Sequence, residues 1–262
     1  MVVFVAGQPA SMKSTIEREL VAGSGLRDPA LIDADRWRTY HPDYETWAIE
    51  NDLTAAARVQ PAVGLWVDLA IEYVVKNRLD ALVSATLKTP DTARKKIAPF
   101  AGAGYDISVV FTAVYEASSR LSVVQRYLND RIANGWGRYV PPAVHDDAYR
   151  GVLDTASSID TGQFTDIGVY VYRPDVRSAP QYTNQRLPNG SWSNGEPRTR
   201  EAITEERIRQ WNGSGAAWFR TTAQSLLNGS QLGDELKARV TDTVTTLIAD
   251  STVCLAIPVG HP

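Results

Sequence analysis

The sequence predicts an α/β fold, in which a parallel β-sheet flanked by helices is followed by a C-terminal hairpin and a helical lobe. Three observations predict it. Short apolar strands alternate with segments of helical periodicity over roughly the first 170 of 262 residues, a pattern typical of parallel sheets covered by helices. The first strand runs straight into a loop that contains glycine and proline. After residue 173 the alternation stops, and prolines and Asn-Gly pairs replace it.

The N-terminal elements follow in order from the hydrophobic pattern. "VVFVA" is a β-rich strand, and "KSTIERELVAG" places Ile16, Leu20 and Val21 on one helical face. "ALIDAD" is a second short strand, and "AVGLWVDLAIEYVVKN" has apolar residues at helical spacing. "DALVSAT" and "YDISVVFTAV" are two further buried strands, and "ASSRLSVVQRYLNDRIA" is a helix. Such a sheet binds its ligands beyond the carboxyl ends of the strands.

The pattern changes after "DIGVYVYR". Between Pro174 and Pro197 there are four prolines and two Asn-Gly pairs, which predict turns around short hairpin strands. Helical segments follow near 201–211, 214–228 and 233–250. We therefore predict a core over residues 1–173 and an appended lobe over 174–262 that packs on it.

Composition limits the classes of partner. The formal net charge is −3, and no apolar run is long enough for a membrane-spanning helix. We therefore expect no nucleic-acid partner and no membrane partner. The single cysteine, Cys254, excludes an internal disulfide framework, and its apolar setting "TVCLAIP" predicts a buried, unreactive thiol. We expect the protein to act in the cytoplasm; delivery from another cell stays compatible with the sequence.

The stretch "GQPASMKST" begins at Gly7 and partly matches the phosphate-binding pattern G-x-x-x-x-G-K-[ST]. Lys13 and Ser14 are in place, but Ala10 and Met12 stand where the middle and last glycines are usual. In such a loop, backbone N–H groups wrap the β-phosphate, the lysine bridges phosphate oxygens and the hydroxyl ligates Mg²⁺. The residues also fit a helix N-terminus that happens to contain Lys-Ser. The strand before and the helix after favour a phosphate site.

Met12 leaves two alternatives open. If its backbone can adopt the loop conformation, the N–H still points inward and the flexible side chain leaves toward solvent. If the position requires a positive φ, a methionine is strained there, and nucleotide affinity should drop.

Two carboxylates leave the second strand, in "IDADRWRTYHPDY". An Asp at this strand end could accept the proton of an attacking hydroxyl, as kinases require. Asp33 or Asp35 could equally cap the following helix, which is the commoner role of an Asp at such a boundary.

Four arginines lie within 19 residues of "SSRLSVVQRYLNDRIANGWGRYVPPAVHDDAY". Arg126 and Arg138 flank a glycine-rich turn, and a lid-like segment could bring them onto the phosphates of a bound nucleotide. A solvated helix face suits Arg120 and Arg131 better.

For four other aromatic or ionisable side chains in these segments, the sequence mainly predicts structural roles. His41 either fixes its own loop or contacts a substrate. His145 and Asp146 are expected to close a helix start. Trp136 could cover a base, but packing is the expected role.

These motifs together resemble the zeta toxin family. The order and spacing of "GQP" with "KS", of "IDADRWRTYHPDY" against the family pattern I-D-x-D-x-[FW]-[KR]-x-x-H-P-x-[YF], of "GYDISVVFTAV", and of "RY" and "GRYVPPAVHD" carry the resemblance. It covers about residues 1–172, and the hairpin with its helical lobe is similar to the C-terminal part of longer members.

The resemblance implies a P-loop kinase fold that uses ATP and Mg²⁺ to phosphorylate UDP-N-acetylglucosamine on the 3′-hydroxyl of its amino sugar. The product blocks early peptidoglycan synthesis. It also implies a proteinaceous antitoxin or immunity partner, which we expect to cover the ATP site.

Site residues follow from matching the family motifs position by position. Asp35 would be the catalytic base, and Lys13, Arg126 and Arg138 would act on the phosphates. Ser14 would hold the metal. The implied nucleotide-binding set is Gly7, Gln8, Pro9, Ala10, Ser11, Met12, Lys13, Ser14, Thr15, Arg126 and Arg138. The implied substrate-binding set is Asp35, Asp68, Thr86 and Lys88.

Two departures from the family pattern keep other functions open. Ser84 stands where the family has a glutamate, so an acceptor of substrate hydrogen bonds is missing and a different phosphoryl acceptor stays open. Met12 replaces the glycine before the lysine. The alternatives are a pseudokinase that serves as a nucleotide-binding scaffold, and a kinase of the same fold that acts on another hydroxyl, such as that of NAD or an antibiotic.

Overall fold

The computed structural model describes residues 1–23, 25–174, 179–211, 213–228 and 234–255, with the side chains at 235–236 and 251–255 left out. Within these ranges the strands are β1 (Val2–Ala6), β2 (Ala30–Asp33), β3 (Ala81–Ala85), β4 (Ile107–Thr112), β5 (Ile167–Tyr172) and β6 (Tyr182–Arg186). The helices are α1 (Lys13–Gly23), α2 (Ala34–Trp37), α3 (Tyr44–Lys76), α4 (Pro90–Gly102), α5 (Glu116–Asn134), α6 (Pro142–Asp160), α7 (Thr199–Ile208), α8 (Gly213–Asn228) and α9 (Asp234–Leu255), with a 3₁₀ turn at Arg38–Tyr40.

The strands form one sheet in the order β2-β3-β1-β4-β5-β6. The first five are parallel, and β6 runs antiparallel to β5. This confirms the predicted α/β class. Because β1 lies in the middle, the loop that follows it stands between the ends of β3 and β4, with the end of β2 one strand farther out. That edge of the sheet collects the groups predicted for the site.

The central strands are buried on both faces, which explains their nearly continuous apolar sequences. Along β1, Val2, Phe4 and Ala6 join the large core with α3, α4, α6 and α7. Val3 and Val5 point to the other face, where Ile16 of α1 packs. Side chains alternate between faces along a strand, so a single five-residue strand serves two packing layers.

Helix α3 begins much earlier than the apolar periodicity from residue 62 predicts. It starts at Tyr44, but Asn51 has non-helical dihedral angles (φ −161°, ψ 95°) and divides it. The Asn51 side chain accepts a bond from Leu53 N at 3.1 Å, so Asn51 caps the second segment. Buried residues then recur every four positions from Ala55 through Val59 to Ile71. The internal break hides the first segment from a search for continuous periodicity.

The C-terminal segments pack on the core at two places. Strand β6 pairs with β5 across the predicted boundary at 173/174, and α7 packs on α6 and β5. Helices α8 and α9 pack on α5, where Phe219 and Val244 meet Leu121 and Leu128. The division into 1–173 and 174–262 stays a prediction. The predicted burial of Cys254 concerns a side chain outside the described residues.

No helix in the described ranges combines the length and the apolar character needed to cross a membrane.

Gly7 is a position where the fold requires the smallest residue. A Cβ there would lie 2.2 Å from Thr112 Oγ1 and 2.5 Å from Ser11 Oγ. We therefore expect Gly7→Ala to lower the free energy of unfolding by about 1–3 kcal/mol, the usual cost of overpacking. The matched control is Gly64→Ala in α3, where a Cβ meets no atom within 4 Å; it should raise stability by up to about 1 kcal/mol. Urea denaturation measures both, and equal effects would contradict this account.

Candidate phosphate-binding site

The loop between β1 and α1 is tied to its own lysine. Lys13 Nζ donates to Gly7 O at 3.0 Å and to Gln8 O at 3.1 Å. At the end of β4, Thr112 Oγ1 lies 2.7 Å from Ser11 Oγ, which holds the loop against the neighbouring strand. The lysine ammonium therefore stands over the loop, where a bound phosphate would exchange these carbonyl contacts for phosphate oxygens.

Both positions that usually carry glycine have left-handed backbone. Ala10 has φ +58° and Met12 has φ +61°. The loop thus requires a positive φ at Met12, and of the two alternatives for this residue the strained one holds. The cost for an L-residue is about 1–2 kcal/mol. The Met12 side chain is 47% exposed, so it is not packed inside the loop.

The two carboxylates after β2 have different surroundings. Asp33 Oδ1 accepts a bond from Asp35 N at 2.9 Å and caps α2, and Asp33 Oδ2 also lies 3.3 Å from Arg36 Nε. The side chain of Asp35 takes no part in this cap. Its partly exposed carboxylate pairs with Arg38 Nη1 at 2.8 Å. Capping therefore belongs to Asp33, and the role of base remains a prediction for Asp35.

Asp35 is surrounded by positive charge. Four cations act on it: Arg38, Lys13, Arg126 and Arg138. Burial raises the pKa of the Asp35 carboxyl, but these charges outweigh burial, and the pKa lies below its ordinary value. The structure thus brings together the four residues predicted to be catalytic, from three separate parts of the chain.

Sequence reasoning did not select Arg38. A signal was present, since Arg38 occupies the basic position of the "IDADRWR" motif, three residues after Asp35. This spacing places the two side chains on the same side of one helical turn. Arg38 Nη2 also donates to Gln60 Oε1 at 3.2 Å, which ties the guanidinium to α3.

Arg126 is a half-buried cation without a partner in the part of the chain that the structure describes. It makes no hydrogen bond or ion pair with any residue that the structure describes, and its Nε is buried. Burial lowers the pKa of Arg126, the charge of Arg138 lowers it further, and Asp35 opposes both. Burial also lowers the pKa of Lys13, again against the effect of Asp35. Each of these shifts indicates a place where negative charge would be stabilised.

Arg138 is held by carboxylates of its own neighbourhood. Its Nε donates to Asp130 Oδ2 at 3.0 Å. The turn before it is fixed by Asp52, which is 6% exposed and accepts from Gly137 N at 3.0 Å and from Arg131 Nη1 at 2.8 Å. Arg131 is partly exposed but pairs with a buried carboxylate, so it is not the freely solvated side chain that the sequence predicts.

With this geometry in place, comparison with known proteins decides the family. A sequence profile of the zeta toxin family matches residues 1–185. This chain belongs to the zeta toxin family. That family is one of kinase-like toxins of toxin-antitoxin systems.

Individual relatives agree with this assignment. Toxin PezT from Streptococcus pneumoniae serotype 4 (strain ATCC BAA-334 / TIGR4) is 24% identical over 218 residues, which are 79% of this chain and 85% of PezT. A chain from the structural study of the PezAT toxin-antitoxin system of the same species superposes with a TM-score of 0.62 at 19% identity, covering 95% of this chain and 86% of that one. A chain of the AvrRxo1-ORF1:AvrRxo1-ORF2 complex has a TM-score of 0.51 at 11% identity, with coverages of 98% and 80%. The likeness to these structures shows the P-loop kinase fold.

A second cluster of ionisable groups in this zeta toxin family member is structural. Glu116, His145 and Asp146 lie close enough together to hold a metal ion. Arg120 Nη2, however, bonds Glu116 at 2.7 Å and Asp146 at 2.9 Å, so a guanidinium already neutralises the carboxylates. His145 is buried and contacts Ser119, while α6 is preceded by Pro141 with no side-chain cap. The expectation that His145 and Asp146 close the helix start was wrong, and Arg120 is a partly exposed ion-pair partner of both carboxylates, not a freely solvated side chain.

Two aromatic side chains serve the loops as the sequence suggests. His41 Nδ1 accepts from Asp43 N at 3.3 Å, and its ring packs beside Trp47 and Trp66. His41 thus fixes its own loop. Trp136 packs edge-on against Tyr44, with ring centroids 5.6 Å apart.

The predicted substrate residues lie near the end of β3 and on α3. Thr86 is half-buried and Lys88 is exposed, on either side of Leu87, whose φ is +44°. Helix α6 holds this turn, because Thr155 Oγ1 donates to Leu87 O at 2.6 Å.

Asp68 is exposed on α3 and raises the pKa of Lys96 on α4, against the larger lowering by burial. It is not one of the charges that dominate the pKa of Asp35. The structure thus places Thr86 and Lys88 at the strand-end edge of the sheet and Asp68 on α3, near Lys96.

An apolar cavity of about 440 Å³ lies on the β4 side of the loop. Its walls include Ala10 and Met12 of the loop, Val114 after β4, and Trp211 and Trp218 from the C-terminal lobe. Trp211 is 3% exposed, and its indole N–H has no hydrogen-bond partner within the described ranges. Asp35 and the cations around it stand on the β2 side, so the loop separates a charged side from an apolar one.

Replacing Met12 tests how the strained loop behaves. Met12→Gly removes about 1 kcal/mol of strain, but glycine adds a similar amount of unfolded-chain entropy, about 0.5–1 kcal/mol. We expect the free energy of unfolding to stay within about 1 kcal/mol of wild type and the ATP dissociation constant to stay within about threefold, because the strain is already present in the unliganded loop. Met12→Val, the contrasting variant, should lower the free energy of unfolding, since β-branched residues tolerate a positive φ least, and should leave the ATP dissociation constant within about threefold for the same reason as Met12→Gly.

Calorimetric titration with ATP measures both variants. Tightening of more than about tenfold in Met12→Gly would contradict the prediction, because it would mean that the loop changes conformation on binding.

Proposed function

We propose that this zeta toxin family member is an ATP-dependent kinase that phosphorylates a hydroxyl of a nucleotide-activated sugar, UDP-N-acetylglucosamine on its 3′-hydroxyl or a close relative. The observation that carries the proposal is the uncompensated positive charge at the loop. Arg126 is half-buried without a partner among the described residues. Together with Lys13, Arg38 and Arg138, it acts on the carboxylate of Asp35. A polyphosphate supplies the missing negative charge.

The loop residues fit a nucleotide phosphate group with bound Mg²⁺. Gly7 permits the close approach of β4, and Ala10 and Met12 adopt the backbone of a phosphate loop. Lys13 would exchange its carbonyl contacts for phosphate oxygens, and the exposed Ser14 hydroxyl would ligate the metal. The metal would supply charge neutralisation on the phosphates.

Asp35 has the surroundings of a general base for this reaction. In phosphoryl transfer, catalysis rests mostly on positioning and on stabilisation of negative charge. Asp35 would accept the proton of the acceptor hydroxyl, and its depressed pKa keeps it ionised at neutral pH. Arg126 and Arg138 would stabilise the transferring group from above the loop.

The sheet order supports opposite positions for the two substrates. The apolar cavity beside Met12 lies on the β4 side and suits a nucleobase, for which the Trp211 N–H is an available donor. Asp35 lies on the β2 side, and the end of β3 adjoins it, since Asp33 pairs in register with Ser84. The acceptor would therefore bind near Thr86 and Lys88. Asp68 would have to reach this acceptor from α3.

Ser84 favours an acceptor that differs from the family pattern. It is half-buried at the strand end next to Asp33 and lacks the carboxylate found there in the family. A sugar nucleotide with a different group at that position, NAD, or an antibiotic hydroxyl fits the same site chemistry. A pseudokinase is the second candidate, and the strained φ of +61° at Met12 is the observation that favours it.

We also propose a protein antitoxin as partner and the cytoplasm as the site of action. A chain from the structural study of the PezAT toxin-antitoxin system superposes on this chain at a TM-score of 0.62, and Toxin PezT is 24% identical to it. An antitoxin that covers the cation cluster would block nucleotide entry. The expected consequence of the free kinase is inhibition of peptidoglycan synthesis.

The proposal is tested by mass spectrometry of small-molecule products. The protein is incubated with ATP, Mg²⁺ and a panel of UDP-sugars, NAD and antibiotics. We expect one acceptor to gain a phosphate, at a rate that falls at least about 100-fold in Asp35→Asn, because general-base catalysis contributes about 10²–10⁴-fold. The matched control is Asp43→Asn, an exposed carboxylate eight residues along the chain.

The outcomes separate the two candidates. ATP that binds but stays intact with every acceptor would support the pseudokinase instead. Equal loss of activity in both variants would remove Asp35 from the role of base.

The charge around Asp35 predicts a pH dependence. In the free protein the four cations hold the pKa of Asp35 below its ordinary value. Bound ATP offsets these cations, so the pKa should rise in the complex. Activity needs the ionised carboxylate and falls as pH drops through the pKa. The acid limb of kcat, which reports the complex, should therefore lie at higher pH than that of kcat/KM for ATP.

Initial rates measured across pH give both profiles. In Arg126→Met the acid limb of kcat/KM should move to higher pH, because one of the cations is gone. Coincident acid limbs in wild type would show that the cation cluster does not control the base.

A further inference from the structure

Arg207 of α7 is a buried cation that the proposed function does not use. It is 4% exposed, and its Nη1 donates to Tyr149 O at 2.7 Å while the guanidinium lies 3.8 Å from the centre of the Tyr149 ring. Burial lowers its pKa to about 10, so it stays protonated at neutral pH. No carboxylate pairs with it within the described ranges, and its Nε is buried without a hydrogen bond. A buried charge without a counterion is costly.

The remaining contact of Arg207 reaches the phosphate loop. Arg207 Nη2 donates to Gln8 Oε1 at 3.2 Å, across 199 residues of sequence. Gln8 is fully buried, and its Nε2 donates to Ser119 Oγ at 3.2 Å in the first turn of α5. The oxygen of the Gln8 amide is therefore bound to α7 and its nitrogen to α5. Only one orientation of the amide satisfies both contacts.

We propose that Arg207 is a positioning residue, which fixes the Gln8 side chain and thereby holds the loop against α5 in the arrangement that binds nucleotide phosphates. The backbone oxygen of Gln8 is one of the two carbonyls bonded to Lys13. Helix α5 carries Arg126, seven residues after Ser119. Gln8 thus joins the two elements that supply cations to the phosphates.

The anchor comes from a part of the chain that the family profile does not reach. That profile ends at residue 185, whereas Arg207 lies in the C-terminal lobe. The lobe therefore has a role in shaping the loop, in addition to covering α5. The inference rests on the proposed function only in naming a nucleotide as the ligand.

A purely structural role is the competing explanation, since Arg207 also ties α7 to α6 through Tyr149. Arg200 provides the matched control. It lies on the same helix, and its Nη1 donates to Asp154 Oδ1 and to Ser157 Oγ of α6, each at 3.2 Å. Arg200→Met removes a contact between α7 and α6 and leaves the phosphate loop unchanged. Arg207→Met removes a contact between α7 and α6 and also the contact with Gln8 of the loop.

The experiment compares the full chain with the Arg207→Met, Arg207→Lys, Gln8→Met and Arg200→Met variants. Calorimetry gives the ATP dissociation constant, and hydrogen exchange of residues 7–15 without nucleotide reports the loop itself. We expect Arg207→Met to weaken ATP binding about tenfold, as for a lost hydrogen bond from a charged group, and to speed loop exchange. Arg207→Lys should recover part of both effects, and Arg200→Met should change neither by more than about twofold.

The double variant Gln8→Met/Arg207→Met decides whether the two residues act as a unit. Its ATP affinity should match that of the single variants, because the second change finds the contact already lost. Fully additive effects, or an Arg207→Met protein with wild-type loop exchange, would overturn the proposal. If Arg207→Met does not fold, Gln8→Met must alone show the faster exchange, and a wild-type result there overturns it equally.

Failure of the proposed function looks different. In that case the wild-type chain does not bind ATP at all, while loop exchange in the unliganded variants still tests the role of Arg207.

Discussion

Electrostatic repulsion among cations is the constraint on which the rest of this site depends. Lys13, Arg38, Arg126 and Arg138 surround one carboxylate in a chain whose net charge is −3. Two like charges 4 Å apart repel by about 4 kcal/mol at a protein surface. Asp35 neutralises Arg38, Asp130 neutralises Arg138, and loop carbonyls receive Lys13. Arg126 has no such partner among the described residues. A bound anion would therefore reduce the repulsion among these cations.

Holding these cations together requires anchors outside the cluster. Asp52 is the strongest of them, because one buried carboxylate binds Arg131 and Tyr127 of α5 and Gly137 before Arg138. Asp52 directly follows the break at Asn51. The irregular backbone of α3 therefore places this carboxylate beside the turn that contains Gly137 and Arg138. Removing one partner of such a buried group costs far more than a surface ion pair. The irregularity in α3 is therefore linked to the position of Arg138.

The sequence predicts the local parts of this arrangement well and the long-range parts poorly. The strands, the helix after Lys13 and the convergence of Asp35, Arg126 and Arg138 follow from patterns within short windows or from the family motif. The partner of Asp52 at Gly137 lies 85 residues away, and the contact between Gln8 and Arg207 spans 199. No periodicity encodes such pairs, because they depend on which helices the sheet brings side by side. For this reason the sequence did not predict the ion pairs of Arg120 with Asp146 and of Arg131 with Asp52.

Met12 and Ser84 differ from the family pattern, but neither side chain is among those proposed to bind the phosphates or to accept the proton. Met12 keeps the left-handed backbone of the loop and lies in the wall of the apolar cavity. Ser84 lies at the other side of β1, beside Asp33. Under the proposed function, the first position borders the nucleobase and the second borders the acceptor. The groups that would bind phosphate and accept the proton are all retained. This distribution favours altered recognition of the two substrates over loss of the transfer chemistry.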